Sequence, residues 1–258
     1  MLRLLINLRA STDRLKRINS QLTALDINYE RIEGIDGRAL SNDFKEKITF
    51  PYNHFESKIR FTRELTDGEI GCFLSHRKCW EKLLQSNEKY ALIMEDDIEV
   101  SNLATKYFTT SDWIPDFVHI CQFSCLEPKQ KGKIKDAPIP LDNTLKIVTP
   151  LVPIPLGTQC YLLSRSAANF ALEYSERLPC PVDNFLFSPW FPLSNTFTIW
   201  RTSPTLVIPN QSMESTIGTR KHKKAPFFVR HGLARFLLDR KIKKQQKDGL
   251  CFTFEFHA

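Results

Sequence analysis

The sequence predicts an α/β fold of the Rossmann type, in which helices flank a mostly parallel sheet. Three observations support this prediction. At 258 residues and 42% hydrophobic content, the chain is long enough for one sizeable domain. Short apolar runs alternate along it with segments of helical periodicity. One run, YALIM at 90–94, is continuously apolar, as expected for a strand buried on both faces.

Six apolar or alternating stretches predict the strands of this sheet. They are residues 2–8, 27–35, 90–94, 117–123, 158–163 and 197–208. Helical spacing of apolar residues predicts the helices between them, which are one over 11–25, one after the capping-box pair Thr66 and Glu69, and one capped by Ser164. The polar stretch 41–63 and the proline-rich stretch 138–155 predict loops.

The net charge of +7 is concentrated near the C-terminus. Residues 220–247 contain eleven Lys or Arg and one acid, so this stretch carries +10 and the remainder of the chain −3. We therefore expect a domain over 1–218 and a basic amphipathic, helical segment over 219–258. The basic and apolar residues of this segment suit an anionic surface. The alternative is a helix that packs its apolar face on the domain.

Cysteine usage and hydropathy indicate a chain that works in the cytoplasm. The seven cysteines are scattered without a Cys-x-x-Cys pair, which favours reduced thiols over disulfides or a zinc site. No stretch approaches the roughly 18 consecutive apolar residues of a membrane span, and the N-terminal apolar run is too short for the core of a signal peptide. Any membrane contact is expected to be peripheral.

Three consecutive acids, Glu95, Asp96 and Asp97, follow the buried strand 90–94. They repel one another and lose hydration there unless a cation compensates them. Since side chains alternate along a strand, Glu95 and Asp97 are expected on one face and Asp96 on the other. Mn²⁺ or Mg²⁺ prefers such oxygen ligands, together with phosphates and waters. Taken alone, the cluster is equally compatible with a solvated strand-to-loop junction.

Phosphate-binding glycine motifs are absent from the sequence, but a different set of motifs is present. There is no Gly-x-x-x-x-Gly-Lys-Ser/Thr loop and no Gly-x-Gly-x-x-Gly turn, which disfavours kinase-like and dinucleotide-binding interpretations. The motifs present are LINL at 5–8 with Asp13-Arg14, EGIDG at 33–37, LTDGEIGCFLSH at 65–76 and ALIMEDD at 91–97, followed more loosely by GTQCY at 157–161 and PVD at 181–183. In this order and spacing they resemble glycosyltransferase family 25, the lipopolysaccharide and lipooligosaccharide galactosyltransferases of Gram-negative bacteria.

The resemblance implies a GT-A-like fold and metal-assisted, inverting transfer of a hexose, with galactose preferred, from a UDP-sugar to a lipooligosaccharide or lipopolysaccharide acceptor. Residues to about 125 would form the donor half of the domain, and 126–218 the acceptor half. Glu95 stands where such enzymes keep the first acid of an Asp-x-Asp motif. It therefore stays open whether Glu95, Asp96 or both act beside Asp97, with Glu95 and Asp97 as the expected metal ligands.

The resemblance also implies roles for single residues, each with a structural alternative. The expected donor-binding residues are Asn7, Leu8, Arg14, Asp36, Ser75, His76 and Asp96. The alternatives are helix capping, a surface arginine, an Asp-Gly turn and a structural histidine. Asp183 is the candidate base that deprotonates the acceptor hydroxyl, with an ordinary turn as its alternative. Glu69 is expected only to close the capping box.

The expected cofactor is Mn²⁺ or Mg²⁺, and the expected partners are a UDP-sugar, a lipid-linked oligosaccharide acceptor and anionic lipids of the inner membrane. The chain would lie on the cytoplasmic face of that membrane, held there by its basic segment. No nucleic-acid partner is expected. Two rival interpretations are a metal-dependent phosphoesterase or nuclease and a basic nucleic-acid-binding protein. The first needs a second set of metal-binding acids, for which only Asp183 is available; the second lacks a recognised binding motif.

Overall fold

The structure, a computed structural model, describes residues 1–50, 64–151, 157–188, 191–210, 212, 240, 244, 247 and 249–257. In this part of the chain the strands are β1 Leu2–Leu8, β2 Glu30–Gly34, β3 Tyr90–Glu95, β4 Ile98–Val100, β5 Ile120–Gln122, β6 Lys129–Ile134, β7 Ile139–Pro140, β8 Lys146–Val148, β9 Cys160–Ser164, β10 Ile199–Ser203, β11 Val207–Pro209 and β12 Leu250–Glu255. The helices are α1 Thr12–Ala24, α2 Asn42–Ile48, α3 Asp67–Gln85, α4 Ala104–Phe108, α5 Arg165–Glu173, α6 Val182–Phe187 and α7 Pro192–Thr196, with a 3₁₀ helix at Gly37–Ala39.

A central eight-stranded sheet carries the fold. Its strand order is β2-β1-β3-β9-β5-β10-β8-β7. β1 is parallel to β2 and β3, and β5 is parallel to β10, while β9 runs antiparallel between β3 and β5. Most strands therefore point the same way, and their carboxyl ends meet at one edge of the sheet. Two small two-stranded sheets, β11 with β4 and β12 with β6, lie outside it.

The strand β3 separates two hydrophobic cores. Ala91 and Ile93 face one core with residues of α3, α5 and α6, while Leu92 and Met94 face the other with residues of α1 and α4. All four side chains are fully buried. Because both faces are covered by helices, no position of this strand needs a polar residue, which explains its continuous apolar run. The expected α/β fold, with a mostly parallel sheet flanked by helices, is confirmed.

The register of β1 on β3 brings two segments of the candidate site together. Ile6 pairs with Glu95, so Asn7 of β1 lies beside Asp96, the residue that follows β3, and the two side chains are bonded at 2.6 Å. The helix α3 packs nearby against the 3₁₀ helix that follows β2. The acids at the end of β3 thus face the ends of β1 and β2.

Several local predictions need correction. The expected loop 41–63 contains helix α2, which Ser41 caps by accepting a hydrogen bond from the Phe44 amide at 3.3 Å; residues 51–63 lie outside the described part. None of the residues of α2 is buried, so it leaves no apolar periodicity in the sequence. The expected loop 138–155 contains the short strands β7 and β8. The expected strand 197–208 is split between β10 in the central sheet and β11 on β4.

Most of the basic segment 219–258 lies outside the described residues. Arg240, Lys244 and Lys247 are described; each is helical and exposed. Further along, β12 pairs antiparallel with β6, so the end of the chain returns to the domain as a strand. None of the described helices is both long enough and apolar enough to cross a membrane.

Candidate functional site

A pocket opens at the carboxyl edge of the sheet, between the ends of β1 and β3, the loop after β2 and the helix α3. It is lined by Ile6, Asn7, Leu8, Ile35, Asp36, Gly37, Arg38, Gly68, Cys72, Ser75, His76, Glu95, Asp96 and Asp97. Eight of the nine residues expected to bind the donor or the metal are among them. The ninth, Arg14, reaches the acids from helix α1.

The Asp96 carboxylate is bonded to residues of β1 and α1. It accepts a hydrogen bond from the Asn7 amide at 2.6 Å and one from the Arg14 guanidinium at 3.1 Å. Arg17, one helical turn beyond Arg14, donates to the main-chain oxygens of Asp96 and Ile98 at 3.1 and 2.7 Å. The Asp96 charge is therefore paired within the protein, and this network fixes the chain just after β3.

Glu95 is held by two donors from the opposite side. The Thr158 hydroxyl donates to Glu95 Oε1 at 2.6 Å, and His76 Nε2 lies 3.3 Å from the same oxygen. Burial acts to raise the pKa of Glu95, but the bonds from His76 and Thr158 and the charge of Arg14 hold it below its ordinary value. Glu95 is therefore ionised at neutral pH, and its other oxygen, Oε2, takes part in neither bond.

Behind Glu95 lies a chain of buried polar groups. His76 is fully buried, and its Nδ1 lies 2.9 Å from the Tyr161 hydroxyl. The Trp80 indole donates to the same hydroxyl at 2.9 Å. Trp80, Tyr161 and Thr158 were not expected site residues. The motif GTQCY at 157–161 contains two of them, but only the pairing of β9 with β3 shows what they contact.

Asp97 is the acid with the least compensation. Its Oδ1 is buried and has no hydrogen-bond partner among the described residues, and Arg14 lies 3.8 Å from its Oδ2. Burial, followed by the charges of Glu95 and Asp96, raises the pKa of Asp97 to about 7, against the opposing effect of Arg14. An oxygen left in this state is one that a bound cation would compensate. Glu95 and Asp97 therefore fit the hard-oxygen preference of Mn²⁺ or Mg²⁺.

A second possible metal site would also use Glu95, together with Cys72 and His76. Ligand atoms of Cys72, His76 and Glu95 lie within 4.8 Å of one another. Burial, with help from Glu95 and other acids, raises the pKa of Cys72 well above its ordinary value, so its thiol stays protonated. Both ring nitrogens of His76 already have protein partners. These contacts disfavour a metal at this triad. The described residues hold no further group of three or more such ligands.

The wall opposite the acids is built from the loop after β2. Ser75 accepts a hydrogen bond from the Ile35 amide at 2.8 Å and donates to the Gly71 carbonyl at 2.7 Å, so it ties this loop to α3. Asp36 caps the 3₁₀ helix and pairs with Arg38 at 2.8 Å, and these bonds lower its pKa. Both residues thus have structural partners while they line the pocket.

Two predictions at helix starts have different outcomes. The expected capping box at Thr66 and Glu69 is present, with reciprocal bonds of 2.9 and 3.2 Å, and it accounts for Glu69. Asp183 lies in the first turn of α6 rather than in a simple turn. It does not line the pocket, and it accepts from the Asn184 amide at 2.7 Å. Its charge contributes to the raised pKa of Cys72, one of the residues that line the pocket.

The family model described as "Glycosyltransferase family 25 (LPS biosynthesis protein)" matches residues 1–186. The chain belongs to glycosyltransferase family 25. The match covers every residue of the pocket and extends to Asp183. The resemblance inferred from the six sequence motifs is confirmed.

Relatives of this family 25 chain come from bacteria and animals. It is 28% identical over 164 residues to the lipooligosaccharide biosynthesis protein lex-1 of Haemophilus influenzae, with 60% of this chain and 54% of that protein covered. It is 35% identical over 94 residues to a glycosyltransferase 25 family member of Aedes aegypti and 32% identical over 94 residues to human procollagen galactosyltransferase 2. These matches cover 36% of this chain and 16% and 15% of the relatives. The chain thus spans about half of lex-1 and about a sixth of the animal proteins.

The solved structures that resemble the chain include a glycosyltransferase involved in glycosylation of the major capsid of PBCV-1, with a TM-score of 0.40 and 10% identity. The similarity covers 83% of this chain and 93% of that one.

Proposed function

We propose that this chain is an inverting glycosyltransferase that transfers galactose from UDP-galactose to a lipooligosaccharide or lipopolysaccharide acceptor, with Mn²⁺ or Mg²⁺ bound at Glu95 and Asp97. The observation that carries the proposal is the only partly compensated Asp97 carboxylate, whose buried Oδ1 has no hydrogen-bond partner among the described residues, beside the ionised Glu95, in a pocket at the carboxyl edge of a family 25 sheet. The family name supports glycosyl transfer. The human relative named as a galactosyltransferase supports the choice of sugar.

The donor would lie across the pocket from β1 to β3. Asn7, Leu8 and Asp36 line its β1 and β2 end and suit contact with uracil and ribose, while Arg14 approaches the diphosphate side. A bound metal would neutralise the diphosphate charge as UDP departs. His76 and Asp96 have their polar atoms bonded to protein, so we assign them to holding Glu95, Asn7 and Arg14 in place.

The reaction requires a base on the acceptor side. Asp183 would remove the proton of the acceptor hydroxyl, whose oxygen then forms a bond to the anomeric carbon. The bond from that carbon to the UDP oxygen breaks on the opposite face, so an α-linked donor gives a β-linked product. Asp183 belongs to the acceptor half in the proposed division of the domain into a donor half over residues 1–125 and an acceptor half over 126–218.

The acceptor is assigned from the relative lex-1, which is named for lipooligosaccharide biosynthesis. A lipid-linked acceptor carries the enzyme to a membrane surface, and the eleven basic residues of 220–247 suit anionic headgroups there. The described members of this stretch, Arg240, Lys244 and Lys247, are exposed. We propose a peripheral position on the cytoplasmic face of the inner membrane.

A donor screen tests the proposal. The purified full chain is incubated with UDP-galactose, UDP-glucose and UDP-N-acetyl sugars, with Mn²⁺ or with EDTA, and release of UDP is measured. We expect UDP-galactose to be consumed fastest, and the rate to fall at least about tenfold in EDTA. Turnover that is unchanged in EDTA would contradict the metal assignment, and preference for another sugar would contradict the choice of galactose.

A further inference from the structure

The hydrogen bonds of the Tyr161 hydroxyl determine which of its neighbours donates a proton and which accepts one. Its hydroxyl is fully buried and lies 2.9 Å from both Trp80 Nε1 and His76 Nδ1. An indole nitrogen only donates, so Tyr161 accepts from Trp80. Its single proton then needs an acceptor, and His76 Nδ1 lies within reach. The arrangement that satisfies every group has Tyr161 donating to Nδ1.

The tautomer of His76 follows from this direction. With Nδ1 as an acceptor, the imidazole carries its proton on Nε2, which lies 3.3 Å from Glu95 Oε1. The opposite tautomer would place two lone pairs against each other at this contact and leave the Tyr161 proton without its acceptor. Trp80, Tyr161 and His76 thus form a one-way chain of donors that ends on Glu95.

The last hydrogen bonds in this row of donors determine how Glu95 faces the pocket. Oε1 receives both His76 Nε2 and the Thr158 hydroxyl, the latter at 2.6 Å. Because both donors bind the same oxygen, the carboxylate is held in one orientation with Oε2 outside these bonds. Trp80 and His76 lie one turn apart on α3, and Tyr161 lies on β9, which pairs in register with β3. The helix α3 and the strands β9 and β3 therefore hold this row of hydrogen bonds in place.

We infer that Tyr161, directed by Trp80, is a positioning residue that holds His76 in the Nε2–H tautomer and thereby presents Glu95 Oε2 to the pocket. The effect on metal binding rests on the proposed function, in which Glu95 Oε2 is a metal ligand. The tautomer itself does not depend on a metal. Residues that hydrogen-bond to metal ligands and orient them typically change metal affinity by about 10- to 100-fold.

The direct test is the ¹⁵N NMR spectrum of the imidazole rings in the metal-free chain, with His76→Gln used to assign the His76 signals. We expect the Nε2–H tautomer in the wild type and a mixture of tautomers in Tyr161→Phe, which removes only the hydroxyl. The matched control is Tyr107→Phe, since Tyr107 is equally buried but donates to Asp142. An Nδ1–H tautomer in the wild type, or an unchanged tautomer in Tyr161→Phe, overturns the inference. If Tyr161→Phe does not fold, an Nδ1–H tautomer in the wild-type spectrum still overturns the inference, and the Mn²⁺ titrations of His76→Gln below test the link to Glu95.

Metal affinity provides the second readout. Mn²⁺ titrations followed by EPR should show binding weakened about tenfold or more in Tyr161→Phe and little changed in Tyr107→Phe. In a His76→Gln background, adding Tyr161→Phe should have no further effect, because the link to Glu95 is already broken. Equal affinities in the wild type and Tyr161→Phe overturn the inference. A wild type that binds no Mn²⁺ contradicts the proposed function instead, and the tautomer still decides the inference.

Discussion

Asp97 is a buried carboxylate beside two other acids, which suits it to the proposed cation site. Arg14 lies 3.8 Å from it but is bonded to Asp96 at 3.1 Å, so the arginine serves mainly its neighbour. Burial and the two adjacent acids then raise the pKa of Asp97 to about 7. Glu95, whose pKa is lowered, stays ionised over the same range. A proton and the proposed metal would therefore compete at Asp97 near neutral pH.

The pH dependence of metal binding follows from this competition. Mn²⁺ needs the ionised Asp97, and the proton occupies it below pH 7, so affinity should fall by about tenfold per unit as pH drops below 7. It should level off at higher pH. EPR titrations of the wild type and Asp97→Asn at pH values of about 6, 7 and 8 measure this. Asp13→Asn, on a fully exposed acid, is the control. An affinity independent of pH would show that Asp97 is not a ligand.

The proposed role of Asp183 can be tested separately from the proposed donor pocket, because Asp183 is not among the residues that line this pocket. Asp183→Asn should leave UDP binding within about twofold of the wild type and lower the transfer rate by about 10²- to 10⁴-fold, the range for loss of a general base. Calorimetry with UDP and a galactose-transfer assay measure the two effects. Asp136→Asn, on an exposed loop acid, should change neither. Undiminished transfer would remove Asp183 from the role.

Among the elements, α3 and the 3₁₀ helix form the pocket wall through direct backbone contact. A Cβ added at Gly37 would lie 1.8 Å from the Asp67 carbonyl oxygen, and one added at Gly71 would lie 2.3 Å from the Ile35 oxygen. Real Cβ atoms do not approach backbone this closely, so both positions require glycine. The contact sets Asp36, next to Gly37, at a fixed place relative to His76 on α3.

Gly71→Ala should therefore disturb both stability and the pocket. We expect the free energy of unfolding to drop by about 1 to 3 kcal/mol, as for overpacked positions, and UDP affinity to weaken as the wall moves outward. Urea unfolding and calorimetry measure the two quantities. In the control, Gly132→Ala, the new Cβ meets only the edge of the Phe254 ring at 3.3 Å, which can shift. Equal effects of the two substitutions would contradict a special role for this contact.

Elements whose signal is local were predicted well from the sequence. The capping box of α3 lies within four residues, and the buried strand β3 has a continuous apolar run. Helix α2 buries no side chain, so it has no periodicity to detect. The strand β6 alternates lysines with other residues and pairs with β12 more than a hundred residues away, so its pattern alone did not indicate a strand.

In the site, too, features with a local sequence signal were predicted and features that depend on distant contacts were not. Spacing and family motifs predicted which residues gather at the pocket, since carboxyl ends of parallel strands share one edge. They did not predict which of these residues bond to one another. That Asp96 binds Asn7 and Arg14, or that Tyr161 reaches His76, depends on the strand register and on which face each side chain takes. Such details depend on tertiary structure.

At the scale of the whole molecule, the end of the chain is part of the domain. Arg201 is fully buried; its guanidinium lies 4.8 Å from the centre of the Phe254 ring of β12 and donates to the Ser124 carbonyl at 2.6 Å. Burial lowers the pKa of Arg201 to about 10. Deletion of residues after 218 would remove Phe254 and expose this charge together with its apolar surroundings. Tests of the basic segment therefore need substitutions rather than truncation.

The proposed membrane contact can be tested in this way. Replacing Lys241, Lys243 and Lys244 by Gln should weaken binding to vesicles that contain anionic lipid, since each lysine near such a surface contributes about 1 kcal/mol at low salt. Binding to neutral vesicles should not change. Sedimentation of the full chain with vesicles measures the effect. The control carries Lys16→Gln, Lys47→Gln and Lys146→Gln, at exposed lysines of the domain. Equal binding of the two triple variants would argue against the basic segment as the contact.

Metal-dependent binding of UDP at Glu95 and Asp97 is the central claim, and calorimetry of UDP binding tests it most directly. The wild type and Asp97→Asn are titrated with UDP in Mn²⁺ and in EDTA. We expect Mn²⁺ to tighten UDP binding to the wild type at least about tenfold and to change binding to Asp97→Asn by less than about twofold. UDP binding of equal affinity in Mn²⁺ and EDTA, or an Asp97→Asn variant that responds to Mn²⁺ as the wild type does, would contradict the central claim.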